Sequence, residues 1–300
     1  MPGKQSKCSH GGKRERMKGK IIAYQGVEGA YSHLACRNAF PKSVAIACAS
    51  FEDAVTLVEN KTADYAMIPV ENSTAGRVEE IYRLIPKSSL FIIDEHFEPV
   101  NHCLLGIKGS QLEEIKYVAS HPQALAQCYK NIIDLEMTAV AKFDTAGSAK
   151  EVSLKKDPSF GAIASKLAAK LYDLEILKEY FGDLKGNVTR FIVLSRENTI
   201  PELDTEKSYI TSLIFHVRDI PAALYKALGG FATNGVNLLK LESYSMTGSL
   251  QVSRFHIDIE AHPEEKKLKL AIDELSFFAK EIKYLGVYEK HAGRENYKLM

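Results

Sequence analysis

Tyr65-Ala66-Met67-Ile68-Pro69-Val70-Glu71-Asn72-Ser73-Thr74-Ala75-Gly76 is the stretch on which the fold turns. Tyr65–Val70 reads as a buried strand, and six polar or small residues follow it at once, more than a helix cap requires. The arrangement recurs along the chain. Ile21–Gln25 runs into Gly26-Val27-Glu28-Gly29-Ala30-Tyr31-Ser32, Tyr117–Ala119 into Ser120-His121-Pro122-Gln123, and Thr138–Phe143 into Asp144-Thr145-Ala146-Gly147-Ser148. Further short apolar runs lie at Val44–Ala47, Leu90–Ile93, Cys103–Ile107, Gly161–Ala164 and Phe191–Leu194. Helical periodicity covers Ser32–Ala39, Phe51–Glu59, Val78–Ile85, Gln123–Leu135, Gly147–Leu154 and Lys166–Tyr172. Such alternation predicts an α/β region with largely parallel sheets and helices on both faces.

The corners carry the chemistry. Free N–H groups and the positive end of the helix dipole make helix starts natural anion sites. Ligands of open α/β sheets bind beyond the carboxyl ends of the strands. Four corners facing one cleft would hold a small, multiply charged organic acid. Any one corner alone is a plain cap, and Gly26 with Gly29 makes no GxGxxG fingerprint. A second candidate is Gly186-Asn187-Val188-Thr189-Arg190-Phe191. Thr189 and Arg190 would point oppositely on an extended strand, so a bend is expected if both reach the cleft. Gln123 and Gln127 share one helical face. Of the lone histidines, His121 is a minor site candidate, whereas His33, His96 and His102 read as structural or exposed.

Composition narrows the classes. The 300 residues hold 39 Lys+Arg against 38 Asp+Glu, with 45% apolar residues and no Trp, as in folded domains. Seven Lys/Arg and one Glu fall in residues 1–20, so the rest carries a net −5, which excludes a basic nucleic-acid-binding body. That basic stretch reads as a disordered extension or tag and lacks the apolar core of a signal peptide. No run is long and apolar enough to span a membrane. The five cysteines form no CxxC pair and read as reduced thiols of a cytoplasmic protein. No HExxH or other tight ligand spacing calls for a metal, and nothing suggests a cofactor.

Residues 21–197 form the first region. A polar segment with Pro201 reads as a linker at 198–207. After it, Ser208–Val217, Pro221–Asn234, Val236–Ser245, Ser249–Ile259, Pro263–Lys280 and Glu281–Lys290 give the order β-α-β-β-α-β. Met246-Thr247-Gly248 is the expected turn, and Pro221 the expected first-turn residue of the first helix. The order is the ferredoxin-like split motif over 208–291, with 292–300 as a tail.

Pro69-Val70-Glu71-Asn72-Ser73, Ser120-His121-Pro122-Gln123-Ala124-Leu125, Gln127-Cys128, Thr145-Ala146, Ala162-Ile163-Ala164-Ser165 and Asn187-Val188-Thr189-Arg190-Phe191 together resemble the prephenate dehydratase family. The part after the linker resembles its ACT regulatory domain. The resemblance implies a two-lobed catalytic region, folded like a type II periplasmic binding protein, with prephenate in the cleft and no cofactor. It implies Thr189 as the catalytic hydroxyl. Glu71, Asn72, Ser73, Ser120, Gln127, Thr145, Arg190 and Phe191 would line or support the pocket. It further implies L-phenylalanine as effector, held by Ala223, Leu224, Asn234, Glu242 and Ser243, and a homodimer or homotetramer. The sequence departs from the family at Val27 (usually Pro), Ala30 (usually Thr), Asp144 (commonly Ser), and in Ala222-Ala223-Leu224-Tyr225 and Glu242-Ser243-Tyr244-Ser245. Two other readings stand beside this one: arogenate as substrate, and a small-acid sensor without catalysis.

Overall fold

The computed structural model describes residues 19–245 and 252–296. The basic extension up to residue 18 and the Met246-Thr247-Gly248 turn lie outside the described residues. The described residues divide into two compact units: 19–78 with His96–Phe191, and Glu79–Glu95 with 192–245 and 252–296.

The first unit carries two sheets. In one, β1 (Ile21–Gln25) pairs in parallel with β2 (Val44–Cys48) and β3 (Tyr65–Asn72), and β4 (Gly76–Arg77) folds back on the end of β3. The strand order is β2-β1-β3-β11-β5, where β5 is Phe91–Pro99 and β11 is Val188–Ser195. Ile22, Ala23 and Tyr24 are all buried, which is why β1 reads as a continuous apolar run rather than an alternation. α1 (Tyr31–Ala39) and α2 (Phe51–Glu59) cross between these strands. Ser50 opens α2 with a reciprocal cap: its hydroxyl accepts from Asp53 N at 3.0 Å and Asp53 accepts from Ser50 N at 3.1 Å.

The other sheet has the order β10-β6-β9-β7-β8. β7 (Tyr117–Ser120) runs parallel to β8 (Thr138–Ala141) and β9 (Phe160–Ala164). β6 (Cys103–Gly106) and β10 (Glu175–Lys178) are antiparallel, so this sheet is mixed rather than largely parallel. The β10 segment, short and half polar, is one the periodicity passes over. A single helix was expected over Gln123–Leu135; instead α4 (Pro122–Gln127) and α5 (Tyr129–Asp134) meet at Cys128. The Asp183 carboxylate restarts the helix by accepting from Lys130 N at 3.0 Å and Asn131 N at 3.2 Å. α6 (Thr145–Lys155) and α7 (Lys166–Leu171) complete the lobe. The chain passes between lobes after β5 and again before β11, and the two passages are tied by Val100 N donating to Asn187 O at 2.8 Å.

The first corner explains its glycines. Gly29 has φ +89°, and a Cβ there would lie 3.1 Å from Ala168 Cα. Ser165 donates to Gly29 O at 2.7 Å and Tyr172 to Glu28 O at 2.6 Å, so the β1–α1 corner is pinned to the other lobe. Val27 and Ala30, the two departures from the family pattern, pack against that lobe's apolar core.

In the second unit, β12 (Tyr209–Val217), β13 (Leu238–Ser245), β14 (Val252–Ile259) and β15 (Ala279–Glu289) form an antiparallel sheet in the order β13-β14-β12-β15. This is the ferredoxin-like order. Phe215, Phe231, Ile257, Leu268 and Leu275 form its core with α8 (Ala223–Thr233) and α9 (Lys266–Phe278). α8 starts at Ala223, and Ala222 takes a left-handed φ of +56°, so Pro221 stands outside the helix. The unit also takes in α3 (Glu79–Leu84) and the start of β5, segments that the sequence groups with the first region. Lys283 donates to Pro86 O and Ser88 O at 2.9 and 2.8 Å. Arg294 grips Glu95 through two bonds of 2.7 and 2.8 Å, and Gly286 has backbone of Ile92 where a Cβ would sit.

Candidate active site

All four corners open on one cavity of about 710 Å³ in the first unit. Tyr31 and Ser32 reach it from the first corner, Asn72, Ala75 and Arg77 from the second, His121, Gln123 and Gln127 from the third, and Lys142, Asp144 and Thr145 from the fourth. Thr189 and Phe191 on β11 and His102 beside β6 complete it.

Strand alternation sorts the β11 motif. β11 is continuous through Val188–Ser195, so the expected bend is absent. Thr189 and Phe191 line the cavity, and Arg190 turns the other way. Arg190 is 4% exposed, and its guanidinium donates to Glu71 Oε1 at 2.9 Å. Glu71 likewise alternates with Asn72 on β3, so the ion pair ties two strands while Asn72 faces the ligand space.

Four side chains form a ring in which every hydrogen bond runs the same way round. Gln127 Nε2 donates to Thr74 Oγ1 at 2.6 Å, and Thr74 Oγ1 donates to Asn72 Oδ1 at 2.8 Å. Asn72 Nδ2 donates to Asn187 Oδ1 at 2.7 Å, and Asn187 Nδ2 donates to Gln127 Oε1 at 3.0 Å. Asn72 Nδ2 also donates to Thr189 Oγ1 at 3.0 Å. The Thr189 hydroxyl thus accepts from Asn72 and donates to no protein acceptor among the described residues. Its proton is left to donate into the cavity that Thr189 lines. The Asn72 oxygen is fixed by Thr74 N and Ala75 N, both at 3.0 Å, an Asx turn made by the polar residues after β3.

The remaining expected residues frame the cavity. Ser73 Oγ accepts from Val188 N at 3.0 Å, and Ser73 N donates to Val188 O at 2.9 Å, fixing where β11 begins. Ser120 is fully buried, and its hydroxyl donates to Ile163 O at 2.6 Å between β7 and β9, away from the cavity. Glu71, Ser73, Ser120 and Arg190 therefore support what Asn72, Gln127, Thr145, Thr189 and Phe191 line. In the second unit, Ala223 and Leu224 begin α8 and pack on its core, and Glu242 and Ser243 lie on β13. Asn234 closes α8, donating to Gly230 O at 2.8 Å and to Glu274 Oε1 at 2.9 Å.

Sequence reasoning assigned no site role to Arg77 or Lys142, carried Tyr31 only as part of the first corner, and read His102 as structural or exposed, yet all four line the cavity. Burial pulls His102 below the usual histidine range, against a smaller upward push from its bond to Gln127. Burial also raises Tyr31 well above the usual phenol range. Both groups are neutral near pH 7. Arg77 and Lys142 bring positive charge to the lining, Lys142 while paired with Glu151 at 2.5 Å. Asp144, the acidic group among the described lining residues, points a carboxylate oxygen at Gly147 N as the cap of α6. Among the described residues no three His, Cys, Asp or Glu converge as a metal site.

Residues 22–199 match the family profile Prephenate dehydratase. A bifunctional N-acyl-homoserine lactone acylase/prephenate dehydratase of Komagataeibacter europaeus is 46% identical over 90% of this chain and 95% of its own length. Arogenate dehydratase/prephenate dehydratase 1 of Arabidopsis thaliana, a chloroplastic protein, is 40% identical over 89% of this chain and 71% of its own length. The crystal structure of prephenate dehydratase from Arthrobacter aurescens, in complex with L-Phe, superposes with a TM-score of 0.81 at 30% identity, covering 90% of each chain. The chain belongs to the prephenate dehydratase family.

Proposed function

We propose that the chain converts prephenate to phenylpyruvate, water and carbon dioxide. The observation that carries this reading is the Thr189 hydroxyl, which lines the cavity and accepts from Asn72, so that its own proton is left to donate to a ligand. In this reaction the bond from ring to carboxylate breaks, and its electron pair moves through the ring as the opposite C–O bond opens. The ring becomes aromatic, which supplies the driving force. The departing hydroxide needs a proton and, before that, a donor aimed at its growing charge. A threonine hydroxyl is a weak acid, so Thr189 acts chiefly through a hydrogen bond to the leaving oxygen. Arg77 and Lys142 are opposite in sign to the two carboxylates of the substrate, and Phe191 offers an apolar surface beside the forming aromatic ring.

Arogenate, which carries an ammonium where prephenate has a ketone, is the second substrate to weigh, because a relative is named for both. An ammonium asks for an acidic partner, and Asp144 directs its carboxylate to Gly147 N, which favours prephenate. Residues 21–197 act as the catalytic region on this reading, and 208–291 as an ACT-type regulatory domain for L-phenylalanine within a homo-oligomer. The ferredoxin-like strand order and the L-Phe complex of a relative support that part. Four described cysteines are buried free thiols, in keeping with a reducing, cytoplasmic setting.

The test is to incubate the full chain with prephenate and with arogenate, following phenylpyruvate by ultraviolet absorbance and phenylalanine by amino-acid analysis. Thr189→Ala is expected to lower kcat by ~10²–10³-fold with the fold intact, the loss typical of one aimed donor. Normal turnover by that variant would overturn the role given to Thr189.

A further inference from the structure

The ring of amides is anchored at Asn72 by the backbone of Thr74 and Ala75. Across the ring the Gln127 side chain has no backbone partner, and its orientation rests on two donors meeting Oε1: Asn187 Nδ2 at 3.0 Å and His102 Nε2 at 2.8 Å. Behind His102 stands Tyr31, whose hydroxyl lies 3.1 Å from Nδ1.

We propose that Tyr31 and His102 are positioning residues for the dehydration: the Tyr31 hydroxyl donates to His102 Nδ1 and fixes the Nε2–H tautomer, and Nε2–H holds the Gln127 amide in the orientation that closes the ring. The inference rests on the dehydratase reading, because it assigns these residues to keeping the Thr189 proton free.

The directions are mutually dependent. A neutral imidazole donates at one nitrogen and accepts at the other, so a donor at Nδ1 makes Nε2 the N–H. With Gln127 Oε1 turned to His102 and Asn187, its Nε2 meets Thr74 Oγ1, whose own proton then goes to Asn72 Oδ1. The other His102 tautomer would turn the Gln127 NH₂ toward His102 and against the Asn187 NH₂. Thr74 would then be drawn to donate to Gln127 instead of Asn72, loosening the loop that carries Asn72. The low proton affinity of His102 and the high one of Tyr31 fit this arrangement, since both stay neutral. Tyr31 packs edge-on to the imidazole, with ring centroids 5.5 Å apart at 81°, which fixes the ring plane as well.

Neither residue donates to the leaving oxygen, so their loss acts on geometry. Misplacement by about 1 Å can cost ~10²-fold in rate. In the full chain acting on prephenate, His102→Leu is expected to lower kcat by ~10²-fold, with KM changed less than about twofold. His102→Gln, whose terminal amide can place a donor where Nε2–H stood, should restore kcat to within ~10-fold of the parent. Tyr31→Phe should give a smaller fall. Long-range ¹H–¹⁵N spectra should show His102 as the neutral Nε2–H tautomer in the parent and a tautomer mixture in Tyr31→Phe. A folded His102→Leu variant with parental kcat would overturn the proposal, as would an Nδ1–H tautomer or an imidazolium in the parent at neutral pH. If His102→Leu does not fold, Tyr31→Phe and the parent spectrum decide. If the parent turns over neither prephenate nor arogenate, the dehydratase reading falls, and the spectrum still decides the hydrogen-bond directions.

Discussion

Gln127 on α4 donates to Thr74 in the loop after β3 at 2.6 Å, so one hydrogen bond joins the two lobes directly beside Asn72 and Thr189. The polar loop that follows β3 thus ties the lobes as well as fixing the Asn72 side chain through Thr74 N and Ala75 N.

Replacing Asn72 by Asp separates shape from donor capacity. A carboxylate still accepts from Thr74 N and Ala75 N, so the turn persists, but it cannot donate to Asn187 or Thr189. Asn72→Asp is expected to lower kcat by ~10²–10³-fold through loss of the donor direction. Its denaturant midpoint should fall modestly as well, because the new carboxylate oxygen meets Asn187 Oδ1 and Val188 O where a donor stood, while the folded state persists. Steady-state kinetics beside a urea titration check both halves, and parental kcat would refute the role of the donor.

Gly29→Ala tests the pinned corner. The substitution meets both a positive φ and a Cβ 3.1 Å from Ala168 Cα. Left-handed backbone costs about 1–2 kcal/mol and overpacking about 1–3 kcal/mol, so a loss of about 2–5 kcal/mol is expected in urea unfolding. Because the corner touches the other lobe, KM should rise as well.

Ala222→Gly works in the opposite direction. Ala222 holds a φ of +56°, where glycine carries no penalty. A gain of about 1 kcal/mol in stability is expected, read as a higher denaturant midpoint with an unchanged slope. No gain would mean that this backbone is relaxed.

Stability should fall as the medium is made acidic from near neutrality. Burial lowers the proton affinity of His33, His102 and His216 in the folded chain relative to the free value of 6.5. Below 6.5 the unfolded chain therefore binds more protons than the folded one. The folded state loses stability from about that pH down to the lowered folded values. Above it, both forms are neutral and this contribution is flat. His102→Gln should show a shallower decline between pH 6.5 and 5, measured by urea titration at each pH. An equal slope in parent and variant would refute the sign for His102.

Much of this was legible in the chain itself. The apolar run Tyr65–Val70 and its six-residue polar tail mark a strand end at the rim of a cleft, and Asn72 at the end of β3 lines the cavity. Thr189 was legible as a candidate within the motif before Phe191, but the bend expected there is absent, and plain strand alternation in β11 turns it to the cavity instead. His102 was not, because a single histidine between two short strands carries no periodic or spacing signal. Its importance lies in Tyr31 and Gln127, which are 71 and 25 residues away. For Ser120 the sequence left lining and supporting open; its hydroxyl donates to Ile163 O in the interior, the supporting place, which depends on a strand 43 residues away. The break at Cys128 depends on Asp183, equally remote in sequence, so helical periodicity alone runs through it.

The allocation of Glu79–Glu95 to the second unit bears on how the protein can be dissected. Lys283, Gly286 and Arg294 meet the backbone or carboxylate of this segment from the far end of the chain. A fragment severed at the linker would carry Ile81, Tyr82, Ile85, Leu90 and Ile92, all buried in the intact protein, without the partner strand that accommodates them. Excision at the linker would therefore turn an apolar flank, covered in the intact chain, toward water.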